Sequence, residues 1–80
     1  MDKPVTIYTT QTCGYCKHAK EFMNAHGVHF TEVDVGVDQA KAREMIEKSG
    51  QMGVPVITVG DDLIVGFDQK RLAAALGINA

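Results

Sequence analysis

Three observations place this 80-residue chain in the α/β class. A β-branched run, Val5-Thr6-Ile7-Tyr8-Thr9-Thr10, leads straight into a helical apolar period. A second apolar run follows within about thirty residues, the span of a βαβ unit. Near the C-terminus, Gly60-Asp61-Asp62 stands between two short apolar stretches, which is hairpin chemistry. The predicted order is β-α-β-α-β-β-α, a four-stranded mixed sheet flanked by three helices, in one domain over residues 1–80.

The first strand is read from Val5 to Thr10, with Pro4 before it. From Cys13 to His26, Cys16, Ala19, Phe22 and Met23 recur at helical spacing, while Lys17, Lys20, Glu21 and Asn24 take the other face. Gly27 ends this helix. Val28 to Val35 reads as the second strand, parallel to the first with a right-handed crossover. Its apolar phase changes between Phe30 and Val33, which implies a bulge, a twist or an edge position. Asp38 caps a second helix running to about Ser49, with Ala42, Met45 and Ile46 inward, a Glu44–Lys48 pair outside, and Gly50 as the stop. Pro55 to Val59 and Leu63 to Val65 form the hairpin. Asp68 caps a last helix through Leu76, with Leu72 and Leu76 on one face and Gly77-Ile78 as its closing cap.

The chemistry is concentrated in Thr12-Cys13-Gly14-Tyr15-Cys16, which holds the only two cysteines. Residues three apart on one helical turn have Cβ atoms about 5–6 Å apart, within reach of a disulfide after a small adjustment. Thr12 is a good N-cap type, which would put Cys13 at the first helical position, where unpaired N–H groups and the positive end of the helix favour an anion. A thiolate is such an anion. Cys13 is therefore read as the attacking sulfur and Cys16, one turn deeper, as the resolving one. Lys17 lies on roughly the same face and either adds a positive charge or is a solvated surface lysine.

Composition narrows the classes. With 45% hydrophobic residues, a compact core is expected. The net charge is −2, from eight basic and ten acidic residues, interspersed along the chain. No basic patch for nucleic acid or an anionic membrane results. The apolar runs are too short to span a bilayer. Met1-Asp2-Lys3-Pro4 lacks the apolar core of a secretory leader, so a cytoplasmic location and a monomer are expected. One tight cysteine pair is also a poor staple, because so small a ring constrains the unfolded chain little.

Taken together, Tyr8-Thr9 running into Thr12-Cys13-Gly14-Tyr15-Cys16, Val54-Pro55 opening the third strand and Gly66-Phe67-Asp68 before the last helix resemble the glutaredoxin family of the thioredoxin-like fold. The resemblance implies a dithiol oxidoreductase that reduces protein disulfides and glutathione mixed disulfides. It implies a cis bond before Pro55, where the residues alone also allow an ordinary strand start. Glutathione, as reductant and co-substrate, is then expected along Tyr15, Gln51, Val54, Pro55, Phe67 and Asp68. Val54 would offer its backbone, and Phe67 and Asp68 their N–H groups at a helix start.

Some positions depart from the family pattern. Gly14 stands where many members have proline, Thr10 where many have a lysine for the glycyl carboxylate, and Gly66 follows Val65 where two glycines are usual. Each charge-assisted bond so lost is worth about 1.5–3 kcal/mol, so weak glutathione affinity is expected. The alternatives are a glutaredoxin-like electron donor to ribonucleotide reductase recharged by thioredoxin reductase, and a glutathione-ligated iron–sulfur carrier. A purely structural disulfide is a further alternative. No metal held by the chain itself is expected, since His18 lies about 140° round the helix from Cys13 and His26 and His29 lie at its far end.

Overall fold

A computed structural model describes residues 4–78. Met1, Asp2 and Lys3, on which the absence of a leader was read, lie outside the described residues. Seven elements follow the expected order: β1 (Val5–Thr9), α1 (Gly14–Ala25), β2 (Thr31–Asp34), α2 (Gln39–Ser49), β3 (Val56–Val59), β4 (Asp62–Val65) and α3 (Gln69–Leu76). The sheet order is β2-β1-β3-β4. β1 pairs parallel with β2 and antiparallel with β3, so Ile7 faces Glu32 on one side and Ile57 on the other. β3 and β4 form the antiparallel hairpin, with Ile57 opposite Ile64.

Alternation along β1 sorts the core into two layers. Val5 and Ile7 point into a cluster with Ala19 and Met23 of α1, Ile57, Val59 and Ile64 of the hairpin, and Leu72 of α3. Tyr8 points the other way, into a cluster with Met45 of α2 and Val56. Two helices thus cover one face of the sheet and α2 the other.

This layering also explains the phase change around β2. Phe30 and Val28 pack on the first cluster, Val33 and Val35 on the second. The even and odd positions of this edge strand each meet a different layer, so neither a bulge nor a slip is needed. The strand itself is shorter than expected because pairing covers only Thr31–Asp34.

Helix ends follow sequence-local chemistry. Asp38 and Asp68 accept from the backbone N–H of Lys41 and Arg71, each at 3.1 Å. Gly27 and Gly77, at φ of 69° and 73°, turn the chain out of α1 and α3. The next residues, Val28 and Ile78, then donate back to Met23 and Ala73 at 2.9 and 3.0 Å. Few side chains reach a left-handed backbone at so little cost as glycine.

The Glu44–Lys48 pair is more than a surface ion pair. The Tyr8 hydroxyl donates to Glu44 Oε2 at 2.6 Å, and Lys48 Nζ donates to the Tyr8 oxygen at 3.3 Å. Burial of the ring raises the Tyr8 hydroxyl above its ordinary value and the bond to Glu44 adds to this, while that same bond holds the Glu44 carboxyl below its own. Tyr8 is therefore a core ring with a polar tip that fastens α2 to the central strand.

Urea denaturation checks this division of labour. Ile7→Ala, which empties a site walled by both neighbouring strands and α1, is expected to cost about 2–5 kcal/mol. Tyr8→Phe keeps the ring and leaves Glu44 to solvent, so its cost is expected to be only about 0.5–1.5 kcal/mol.

Candidate active site

The end of β1 delivers the chain to the cysteines. Thr9 closes the strand, its carbonyl accepting from the Val35 N–H at 2.9 Å, and a turn follows in which the Cys13 N–H donates to the Thr10 carbonyl at 3.4 Å. The structure moves the helix start by one residue from the expected place. Cys13, not Thr12, is the N-cap: its backbone is extended (φ −86°, ψ 113°) and its Sγ accepts from the Cys16 N–H at 3.2 Å. The reactive-looking sulfur does the work that a serine or aspartate oxygen does at other helix starts. The sulfur thus takes up one of the first-turn N–H groups that a helix start leaves unpaired.

Gly14 becomes the first helical residue. An added Cβ at Gly14 would meet no atom within 4 Å, so space does not demand glycine at this position. A residue such as proline is tolerated at a first helical position for the usual reason, since that N–H is unpaired in any case.

The two sulfurs differ in access. Both are free thiols, Cys13 half-buried and Cys16 only 1% exposed. Burial pushes the Cys16 thiol up, and its contact with the Cys13 sulfur pushes it further. The Thr9 side chain and the Thr10 backbone oppose this by hydrogen bonding.

On its other side Cys13 meets the turn before β3. The Val54–Pro55 bond is cis, and the Cys13 Sγ lies 3.7 Å from the Val54 carbonyl oxygen, to which the thiol can donate. Pro55 is buried, and its carbonyl accepts from the Gly66 N–H at 2.8 Å. That bond ties the turn before β3 to the segment leading into α3. Cys13, Cys16, Val54 and Pro55 thus form one contiguous group, with Gly66-Phe67-Asp68 anchored beside it.

The remaining expected residues are placed differently. Tyr15 is 69% exposed, two residues after Cys13 and next to Cys16 in sequence. Gln51 is exposed, and its backbone is held by Ser49, whose hydroxyl accepts from the Gln51 N–H at 3.3 Å. Neither side chain hydrogen-bonds to the cysteine pair among the described residues. Phe67 turns toward the core, packing near Phe22 with ring centres 6.1 Å apart. Asp68 is exposed, with one carboxylate oxygen engaged as the α3 cap.

Two features went unread in the sequence. Thr9 is 1% exposed beside Cys16; its position in phase with Val5 and Ile7 was the available signal. A cleft of about 470 Å³ opens at the far end of β1, between His26, Val28, His29, Val59 and Ile78. It is remote from the sulfurs. Among the described residues, no group of three or more His, Cys, Asp and Glu side chains could hold a metal ion. None of the described helices is long and apolar enough to cross a membrane.

Residues 5–64 match the family described as Glutaredoxin. The chain belongs to the glutaredoxin family. It is similar to Glutaredoxin 3 of Escherichia coli K12, with 42% identity over 73 residues, covering 91% of this chain and 88% of that relative. Among solved structures it resembles the glutaredoxin of Archaeoglobus fulgidus, with a TM-score of 0.84 and 26% identity over 91% of this chain and 85% of the other. It also resembles the Escherichia coli NrdH-redoxin, a glutaredoxin-like protein described as having a thioredoxin-like activity profile. That match has a TM-score of 0.78 and 28% identity over 89% of this chain and 92% of the other. Like other glutaredoxin family members, the chain is a thiol–disulfide oxidoreductase of thioredoxin-like fold.

The unequal burial of the sulfurs has two measurable results. Iodoacetamide is expected to label Cys13 in the folded, reduced protein and Cys16 only after unfolding. The raised Cys16 thiol also gives stability a pH dependence. The folded state holds that proton more tightly than the unfolded chain does, so its contribution is complete below the ordinary thiol value of about 8.5 and is lost as pH rises past it. The urea midpoint of the reduced protein is expected to fall above that pH, with a shallower decline in Cys16→Ala; Tyr8 adds a further loss in the same direction at higher pH.

Proposed function

We propose that the protein reduces protein disulfides and glutathione mixed disulfides in the cytoplasm, with Cys13 as nucleophile and Cys16 as resolving thiol. One observation carries the reading: the more accessible sulfur sits between the Cys16 N–H and the Val54 carbonyl, with the buried sulfur one helical turn behind it. The cytoplasmic assignment rests on the dithiol itself, which needs a reducing compartment to act as a reductant.

In the first step the Cys13 thiolate attacks one sulfur of the substrate disulfide. The new S–S bond forms as the old one breaks, and the departing thiolate takes up a proton. The Cys16 N–H stabilises the sulfur while it is anionic. An extended substrate approaching Cys13 also meets the backbone of Val54, which suits recognition by strand-like pairing. A second thiol then attacks the mixed disulfide: an external glutathione, or Cys16 when the substrate is a protein disulfide.

The residues present fit glutathione in part. Val54 offers backbone beside the reacting sulfur, and the α3 start offers N–H groups ahead of its first helical bond, Leu72 N–H to Asp68 carbonyl. No cation stands at Thr10, which packs instead near Gly36. That favours weak binding of the tripeptide, and it supports a second reading. The likeness to the NrdH-redoxin, together with the missing cation, fits an electron donor to ribonucleotide reductase recharged by thioredoxin reductase.

Two measurements decide. With a glutathione–peptide mixed disulfide, Cys13→Ser is expected to fall to background while Cys16→Ser keeps the monothiol route. Turnover driven by glutathione should exceed turnover driven by thioredoxin reductase, and the reverse order selects the second reading. If the missing cation limits affinity, Thr10→Lys should strengthen glutathione binding about tenfold, the return of one charge-assisted bond.

A further inference from the structure

Four large apolar side chains stand exposed among the described residues, and all four lie at the end of the sheet where Cys13 sits. Tyr15 follows Cys13 on α1, and Val65 closes β4 opposite Val56, next to the cis-proline turn. Met52, 78% exposed, precedes Val54 by two residues, and the Val54 carbonyl lies 3.7 Å from the Cys13 sulfur. Val37, 76% exposed, follows Gly36, where an added Cβ would stand 3.7 Å from the Thr10 methyl. The Thr10 carbonyl in turn accepts from the Cys13 N–H. Exposed apolar residues scattered singly need no explanation; four gathered round one accessible sulfur do.

The turn from β2 to α2 that carries Val37 adds charge of one sign. Asp34 and Asp38 flank it, their carboxylates accepting from the N–H groups of Gly36 at 2.8 Å and Lys41 at 3.1 Å. Those bonds fix the two carboxylates without neutralising them. The next cation along the chain, Lys41, sends its Nζ to Glu44 at 3.6 Å.

A protein substrate can bring its sulfur to Cys13 only by laying the residues beside its cysteine across these loops. We infer that the β2–α2 turn is a docking wall for protein substrates, selecting a cysteine flanked by apolar side chains with a basic residue beyond them. The sheet order puts Val37 on the β2 side of Cys13 and Met52 on the β3 side. Each receives an apolar side chain, while Asp34 and Asp38 attract the basic one. Exposed charges act mainly on encounter, so their share weakens with salt. Glutathione, anionic and without an apolar side chain, gains from neither.

Both arms of this selection rest on Cys13 as nucleophile, and that is tested first. Peptides carrying one cysteine as its mixed disulfide with 5-thio-2-nitrobenzoate are added to the reduced protein. The Cys13 thiolate attacks the peptide sulfur, the bond from that sulfur to thionitrobenzoate breaks, and the chromophore leaves with the electron pair. If Cys13→Ser releases it as fast as the parent, the assignment of the nucleophile fails. If the assignment holds, rates are compared after division by those with 2-mercaptoethanol, a thiol without a docking surface. A Leu-Cys-Leu-Lys peptide is expected to react about tenfold faster than Ser-Cys-Ser-Lys. It should also react about threefold faster than Leu-Cys-Leu-Glu at low salt, and only this second ratio should close as salt is added. Val37→Ser is expected to lower the first ratio about threefold, and Met52→Ser to act likewise from the other side. Asp34→Asn combined with Asp38→Asn, which keeps both hydrogen-bond acceptors, is expected to abolish the second ratio. Ratios of one in the parent, or ratios that these variants leave unchanged, overturn the proposal. Sedimentation is expected to show a monomer throughout; a dimer that Val37→Ser dissociates would give this face to a second copy and overturn the proposal as well.

Discussion

Pairing of β1 on both of its edges is the constraint on which the rest depends. Its backbone is committed to β2 on one side and β3 on the other, and its two faces to two helical layers. A strand so enclosed has little freedom in register, because a slip of one residue would send Ile7 to the α2 face and Tyr8 to the α1 face. Where that pairing stops, at Thr9, the chain must turn. The cysteines begin at that turn, so their position inherits the rigidity of a strand paired on both edges.

The sulfur chemistry is arranged by backbone groups more than by charged side chains. The Cys16 N–H, the Val54 carbonyl and the α1 start surround Cys13, and each is fixed by secondary structure around it. The Cys16 N–H, held by the first turn of α1, needs no reorganisation to donate to a charged sulfur. The protein keeps one sulfur where a partner can reach it and the other where only the first can. The difference in burial and the raised Cys16 thiol distinguish the two sulfurs in the same sense.

Much of this was legible in the sequence, and the misses have physical reasons. Apolar periods of two and 3.6 marked the strands and helices, and Asp38, Asp68, Gly27 and Gly77 marked their ends, because those signals are local. The start of α1 was misplaced by one residue because threonine is the better cap by type. Which side chain caps depends on the backbone angle where the turn leaves β1, and the Thr10–Cys13 turn sets that angle. The Tyr8–Glu44 bond joins residues 36 apart, and the burial of Thr9 depends on α1 lying over it. Neither can be read from spacing along the chain. The cysteine pair and the Val54–Pro55 turn were found together only through resemblance to a family, since forty residues of intervening chain hide their contact.

The bond from Gly66 to the Pro55 carbonyl bears on where the working unit ends. The family match stops at residue 64, yet Gly66 at φ 79° and Leu72 both lie beyond it. A piece excised at that boundary would still contain every sulfur and both halves of the cis-proline turn. It would also strip the cover from Ile7, Ile57 and Ile64 and leave the proline carbonyl without its donor. The C-terminal helix and the segment before it are thus a buttress for the sheet and for the turn beside the cysteines.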